Sequence, residues 1–259
     1  MRKFGITEET RGSSNVSIPA PIKLSTPNEL FKTGYEFPVC RLVAVTFNPA
    51  KPVKRAGVET TAHVLEFRFQ DNKERQYTHI EWPLDPTSKN AAKEPDWQDS
   101  RIKHIWEETI GAEKLPKTGL GTSAKTEAEY FQLVAEGFNA VKTNVLNPKY
   151  KEGVVPEEGV APIPQTVERV SYGQSFIYIK LTYNKTNLQM PLFPNFVQKA
   201  VVNGKQVAVE KLQIDLKYDS IEPSISTSNL PSAASGLASG LDATFGGSTS
   251  TDDLPEFLK

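Results

Sequence analysis

Residues 61–82 read Thr-Ala-His-Val-Leu-Glu-Phe-Arg-Phe-Gln-Asp-Asn-Lys-Glu-Arg-Gln-Tyr-Thr-His-Ile-Glu-Trp, two alternating runs on either side of a polar centre. Alternation of this kind around a short polar segment predicts a β-hairpin. If Asn72 and Lys73 form a two-residue turn, one face is the core and carries Leu65, Phe67, Phe69, Thr78, Ile80 and Trp82. The other face meets solvent and carries Glu66, Arg68, Gln70, Arg75, Tyr77 and His79.

Further strands and two helices are predicted on both sides of this hairpin. A β-branched and aromatic run predicts a first strand at 36–47, and 175–183 and 211–218 predict two later strands. In the 175–183 strand Ile177, Ile179 and Leu181 face one way, whereas Phe176, Tyr178 and Lys180 face the other. Apolar residues at helical spacing predict helices over 96–110 and 126–144, the second opened by the capping box Thr126-Glu-Ala-Glu129.

The order strand, hairpin, helices, strand, strand is that of the OB-fold. We therefore expect a mainly β (α+β) protein: an OB-like antiparallel β-barrel with a helical insertion, about 96–145, between strands 3 and 4. Other small barrels and sandwiches with helical insertions also fit this order. The predicted domains are an N-terminal arm at 1–34, an OB-like nucleic-acid-binding domain at 35–220, and a disordered tether with an acidic tip at 221–259.

Charge is divided unevenly along the chain, although the whole carries only −1. Residues 221–259 hold five acidic residues against Lys259 alone, which leaves a mildly basic body. Such asymmetry indicates two roles in one chain.

Several classes of function are excluded by what the sequence lacks. The single cysteine, Cys40, cannot form an internal disulfide, and with His63, His79 and His104 it makes no cluster at metal-ligand spacing. No nucleophile or paired-carboxylate motif is present, so we expect neither an enzyme nor a cofactor or metal. No apolar run reaches about 18 residues, so we expect no contact with membranes.

Single-stranded nucleic acid is held by a basic groove and by aromatic rings that stack on bases, at roughly 1–3 kcal/mol for each base. The strand at 175–183, the hairpin and the basic loop after the first strand supply these residue types. The candidate nucleic-acid-binding residues are Lys51, Lys54, Arg55, Arg68, Arg75, Tyr77, Phe176, Tyr178 and Lys180. Core packing of the aromatic residues beneath the helices, and an ordinary solvated loop at 51–57, are the alternatives.

The chain ends Ser250-Thr-Asp-Asp-Leu-Pro-Glu-Phe-Leu-Lys259, after a tether rich in serine and glycine. This end resembles the tip of bacterial and tailed-bacteriophage single-stranded DNA-binding proteins, which finish in Asp-Asp-Ile-Pro-Phe or a similar peptide. The residues that match are Asp252, Asp253, Leu254, Pro255 and Phe257. Here Glu256 separates the proline from the phenylalanine and Leu258-Lys259 follow, so the aromatic residue is not terminal.

The resemblance implies an OB-fold body that binds and protects single-stranded DNA during phage replication and recombination. It also implies an acidic tip that recruits replication or recombination proteins, and a cytoplasmic location, in the host if the protein is phage-encoded. Two alternatives remain: a virion structural or assembly protein without nucleic-acid contact, and a replication mediator that reaches DNA only through partners.

Overall fold

The computed structural model describes residues 22–23, 36–55, 57–153, 161–184, 187–191, 195–212, 214 and 220. Most of the predicted arm and all of the predicted tether lie outside the described residues, and with them the tip residues Asp252, Asp253, Leu254, Pro255 and Phe257.

Strands and two α-helices make up the described chain. The strands are β1 (Ile22–Lys23), β2 (Glu36–Phe37), β3 (Val39–Arg55), β4 (Val58–Asp71), β5 (Gln76–Glu81), β6 (Lys142–Leu146), β7 (Thr166–Val170), β8 (Ile177–Ile179), β9 (Thr182–Asn184), β10 (Asn187–Gln189), β11 (Val197–Lys199), β12 (Val201–Val202) and β13 (Lys205–Gln206). The helices are α1 (Glu94–Thr109) and α2 (Glu127–Ala140), and short 3₁₀ helices lie at Ala112–Lys114 and Ser171–Gln174.

Five strands form one antiparallel sheet in the order β11-β8-β3-β4-β5. Both helices lie in the chain between β5 and β8, the third and fourth strands of this sheet along the chain. The predicted mainly β, antiparallel class with two helices is thus confirmed. β3 and β4 remain paired beyond the end of β5, as far as Arg55 opposite Val58. Residues 48–55 and 57–64 therefore form a two-stranded extension, the β3–β4 ribbon.

Helix α1 lies between the two edge strands of the sheet. At the end of β5, Gln98 Nε2 donates to the Trp82 carbonyl over 3.0 Å. At β11, His104 Nε2 donates to the Val197 carbonyl (2.8 Å), and Glu108 Oε2 accepts from the Lys199 amide (2.6 Å). Side chains of a helix thus satisfy edge groups that a neighbouring strand would otherwise bind. Within the described residues the edge strands β5 and β11 do not pair with each other, and the sheet is open at this seam. The expected closed barrel is therefore not observed.

The helices cover one face of the sheet, here called the inner face. Their buried residues include Ile102, Ile105, Trp106, Phe131, Val134 and Phe138, and they pack in one cluster with Leu42, Val45, Leu65, Phe67, Phe69, Ile177 and Ile179. A second buried cluster lies apart from this one and contains Phe37, Val39, Phe176, Tyr178, Ala200 and Leu212.

Thr126 caps α2 as predicted, because its Oγ1 accepts from the Glu129 amide over 3.2 Å, whereas Glu129 Oε2 accepts from the Lys125 amide (2.7 Å), one residue before the position of a capping box. The helix ends at Ala140, earlier than predicted, since Val141 is extended and leads into β6. Neither α1 nor α2 has the length and apolar composition needed to cross a bilayer.

Candidate nucleic-acid interface

The β4–β5 hairpin turns through three residues, not the two that the sequence predicted. Its register runs from Gln70 opposite Gln76 to Leu65 opposite Glu81. Glu74 has a φ of +61°, in the left-handed region. A type I turn that ends on a left-handed residue is typical of three-residue hairpin loops.

Asp71 is the physical reason for this loop. Its Oδ1 accepts from the Lys73 amide (2.9 Å) and from the Arg75 amide (3.0 Å), and its Oδ2 accepts from Arg75 Nε (2.7 Å). Burial raises the pKa of Asp71, but these hydrogen bonds outweigh it and the pKa is lowered. Aspartate bonding to the backbone two residues later is a common turn device, and here it sets the loop length.

The longer loop moves every β5 residue to the face opposite to the predicted one. Tyr77 packs against the inner cluster and donates to Asp71 Oδ2 (3.2 Å), and burial raises its pKa to about 12. His79 is buried too. The predictions that Tyr77 and His79 meet solvent are therefore wrong. Thr78 and Ile80 instead lie on the outer face, and the predicted core position of Trp82 is also wrong, because its side chain is 37% exposed.

The aromatic platform predicted at Phe176, Tyr178 and Lys180 is buried. The alternation was correct, since Ile177 and Ile179 pack beneath the helices and Phe176 and Tyr178 belong to the other cluster. However, Phe176 is 7% exposed, and Tyr178 and Lys180 are fully buried. The prediction that these three residues form a solvent-facing surface is wrong.

The chain after β11 covers this platform. Residues 200–212, here called the C-terminal cover, place Ala200 and Leu212 in the same cluster as Phe176 and Tyr178. The Tyr178 hydroxyl donates to the Val207 carbonyl over 3.0 Å. A strand whose two faces are both rich in apolar residues needs cover on both, and a later part of the same chain provides it.

Gln198 on β11 fastens the C-terminal cover. Its Nε2 donates to the Ala208 carbonyl (2.7 Å), and its Oε1 accepts from the amides of Glu210 (2.9 Å) and Lys211 (2.8 Å). Three hydrogen bonds from one buried amide hold the cover to the sheet, so it is part of the folded domain.

The predicted basic residues do not form one patch. Arg75 is bound to Asp71 at the hairpin loop, the end of β4 farthest from the β3–β4 ribbon. Lys54 is exposed on the ribbon, opposite Glu59. Arg55 pairs through its backbone with Val58, and its side chain lies outside the described residues.

Lys51 and Arg68 are the two predicted cations that the structure brings to one area. Lys51 Nζ lies 2.5 Å from Glu66 Oε1, and Glu66 is two residues from Arg68 on the same face of β4. Arg68 donates from Nη2 to Thr46 Oγ1 over 3.3 Å. Its Nε is buried and has no hydrogen-bond partner among the described residues.

The outer face of β4 and β5 is built of cross-strand rows. Gln70 lies opposite Gln76, Arg68 opposite Thr78, and Glu66 opposite Ile80. Trp82 directly follows Glu81, the last β5 residue of this register. Gln76, Thr78 and Trp82 are exposed, and Gln70, Arg68, Glu66 and Ile80 are half-buried. We call this set, from Gln70 and Gln76 to Trp82, the open face.

A buried polar cluster stands behind the open face, on the inner side of β5. Glu81 Oε1 is 2.8 Å from His79 Nε2 and 2.7 Å from Arg101 Nε, and Glu81 Oε2 accepts from the same guanidinium over 2.6 Å. Burial raises the pKa of Glu81, but Arg101 and His79 lower it to about 2. The His79 ring stacks on Phe196, with 4.6 Å between centroids. We interpret this cluster as a structural link between β5 and α1, because both oxygens of the Glu81 carboxylate are hydrogen-bonded to Arg101, and one also to His79.

Two observations on the described residues concern metal binding and thiol chemistry. No group of three histidine, cysteine, aspartate or glutamate residues there could hold a metal ion. Cys40 is buried, and its burial raises the pKa of the thiol, which disfavours the reactive thiolate.

Trp82 and Ile80 are the open-face residues that sequence reasoning placed in the core. A signal was present, since Asp71 stands at the first position of the loop and favours a turn closed by its own side chain. Placing Asp71 in that role lengthens the loop by one residue and turns Trp82 outward.

Comparison of the chain with known protein families, with curated protein sequences and with solved structures found no match. The case for a function therefore depends on the geometry of the open face, the β3–β4 ribbon and the sequence of the tail.

Proposed function

We propose that this protein binds single-stranded DNA on the open face of β4 and β5. The proposal depends on a difference between two parts of the outer face of the sheet. The C-terminal cover buries this face over β8, whereas polar side chains on β4 and β5, and Trp82 directly after β5, are exposed. A surface that binds a nucleic-acid strand must be accessible and must offer cations and ring faces. Arg68, Lys51 and Trp82 are those groups here.

The strand order supports an OB-like interpretation. Numbered along the chain, the sheet strands β3, β4, β5, β8 and β11 stand in the order 5-4-1-2-3, which is that of an OB-fold opened between strands 3 and 5. OB-folds bind oligonucleotides on the face of strands 2 and 3 and with the loops that join strands 1–2 and 4–5. In this chain those parts are β4 with β5, the β3–β4 ribbon, and the β9–β10 hairpin.

The electrostatics of the open face favour weak, salt-sensitive binding. Glu66 offsets the charge of Lys51, with which it pairs, so only Arg68 brings an uncompensated positive charge to the rows of β4 and β5. The ribbon also carries Lys54, an exposed cation opposite Glu59. Contacts of this number with phosphates produce modest affinity that falls as salt rises.

The role of the tail in this proposal depends on its sequence alone. We propose that Asp252, Asp253, Leu254, Pro255 and Phe257 recruit replication or recombination proteins to DNA held by the body. The protein then protects single strands during phage DNA replication and recombination in the cytoplasm of the host.

A binding titration across a salt series tests the proposal. Fluorescence anisotropy with a labelled oligo-dT should show binding at low salt that weakens as salt rises, with little binding to a blunt duplex of the same length. Arg68→Ala should flatten the plot of log K against log salt by about 0.7, the slope expected for one phosphate contact on a single strand. Lys103→Ala on the exposed side of α1 is the matched control and should leave the slope unchanged.

Failure of the intact protein to bind oligo-dT at low salt would overturn the proposal. A role in virion structure or assembly, with protein partners on these same surfaces, would then replace it.

A further inference from the structure

Trp82 is unusual among the aromatic residues of this protein. Among the described residues it is the one exposed aromatic residue. Trp106, by contrast, is 1% exposed, and its Nε1 donates to the Gly111 carbonyl (3.2 Å). Exposing a large indole to water costs free energy unless a partner covers it. At 37% exposure, part of Trp82 is open to a ligand.

The backbone around Trp82 is held firmly. Its carbonyl accepts a hydrogen bond from Gln98 on α1. Two residues later, the Leu84 amide donates to Glu127 Oε1 over 2.8 Å. On the other side Glu81 is bound by both His79 and Arg101. The indole thus projects from a fixed backbone, which reduces the entropy lost when a ligand binds to it.

The surroundings of Trp82 match the needs of a stacked base. Trp82 directly follows Glu81, which pairs with Leu65 at the foot of the β3–β4 ribbon, and it comes two residues after the half-buried Ile80. Lys51, on the neighbouring strand β3, contacts Glu66, which lies opposite Ile80. An aromatic plane next to a cation is the pairing by which proteins hold an unpaired base and its phosphate.

We infer that Trp82 is a base-stacking residue, on whose indole one unpaired base lies while the adjoining phosphates contact Lys51 and Arg68. This inference rests on the proposed function, and it names the residue of the open face that makes the sequence-independent contact with a base. It also gives the reason for the outward position that the three-residue loop confers on Trp82.

Intrinsic fluorescence and anisotropy together test the inference. Oligo-dT should quench the tryptophan emission of the wild-type protein and of Trp97→Phe, the matched control on α1. Quenching should largely disappear in Trp82→Phe, whose anisotropy titration still shows binding because a phenyl ring also stacks. Trp82→Ala should bind about 5- to 150-fold more weakly, the equivalent of roughly 1–3 kcal/mol for one stacked base.

The two proposals fail in different ways. If oligo-dT binds, but Trp82→Phe is quenched like the wild type and Trp82→Ala binds with wild-type affinity, the stacking role is wrong and the proposed function stands. If the wild-type protein does not bind oligo-dT at low salt, both are wrong. Should Trp82→Ala fail to fold, as judged by circular dichroism, the quenching of Trp82→Phe decides.

Discussion

Replacement of Glu81 by glutamine should strongly destabilise the fold, because this one carboxylate joins β5 to α1. Both of its oxygens accept hydrogen bonds from Arg101, and one also contacts His79, in surroundings where Glu81 is 1% exposed. Glutamine keeps the shape of the side chain and removes its charge. The Arg101 guanidinium, whose side chain is only 12% exposed, then lacks its counter-charge.

The expected magnitude follows from the pKa of Glu81. This pKa is about 2 in the folded protein, against an ordinary value of 4.5. At 1.36 kcal/mol for each pKa unit, the ionised carboxylate stabilises the fold by about 3 kcal/mol at neutral pH. Breaking a buried ion pair typically costs a similar amount, roughly 3–5 kcal/mol.

The pH dependence of this loss has a definite sign. Since the folded pKa is lowered, the stabilisation is complete above pH 4.5 and is lost as the pH falls toward 2. Urea denaturation followed by circular dichroism should give a difference in unfolding free energy of about 3 kcal/mol at pH 7 between wild type and Glu81→Gln. At pH 3 the difference should be less than half of that, on the order of 1 kcal/mol.

Glu107→Gln on the exposed side of α1 is the control for this measurement. Glu107 pairs with Lys103 over 3.7 Å at the surface, and such pairs contribute about 0.3–0.5 kcal/mol. An effect of Glu81→Gln as mild as that of this control at pH 7, or one that does not change with pH, would contradict the stabilising role of Glu81.

Substitutions at three other positions have defined outcomes. Glu74→Gly should raise the free energy of unfolding by about 1 kcal/mol, since glycine adopts the left-handed conformation without strain, whereas Glu74→Ala should not; thermal unfolding measures both. Glu66→Gln should strengthen oligo-dT binding at low salt, because it removes the carboxylate that offsets the charge of Lys51, and an unchanged affinity would exclude Lys51 from the interface. Tyr178→Phe should cost about 1 kcal/mol in urea denaturation through loss of the hydrogen bond to Val207, yet leave oligo-dT affinity unchanged; weakened binding by a fully folded variant would return Tyr178 to the interface.

The elements that the sequence predicted well are those set by local patterns. Alternation at 175–181 assigned Ile177 and Tyr178 to opposite faces correctly, and the capping residues located the start of α2. Both features arise from contacts within a few residues of each other, which a periodic pattern records.

The face of β5 was assigned wrongly for an equally local reason. Two-residue and three-residue loops differ by one position, and the hydrogen bonds of Asp71 decide between them. Because side chains alternate, that single position exchanged the predicted roles of Tyr77 and Trp82.

What covers each surface could not be predicted, because it depends on residues far apart in the chain. The Tyr178 hydroxyl donates to the carbonyl of Val207, 29 residues later. At the edge of β11, the Lys199 amide donates to Glu108, 91 residues earlier. Alternation reports that a face is apolar and gives no information about which later segment packs on it. The buried platform and the open seam both result from such distant contacts.

Photo-crosslinking tests the location of the interface most directly. The protein is mixed with an oligonucleotide in which iodouracil replaces thymine, and the complex is irradiated. The crosslinked peptides are then identified by mass spectrometry. Binding on the open face predicts crosslinks within residues 48–82, with Trp82 foremost. Crosslinks confined to the C-terminal cover, residues 200–212, would contradict this location.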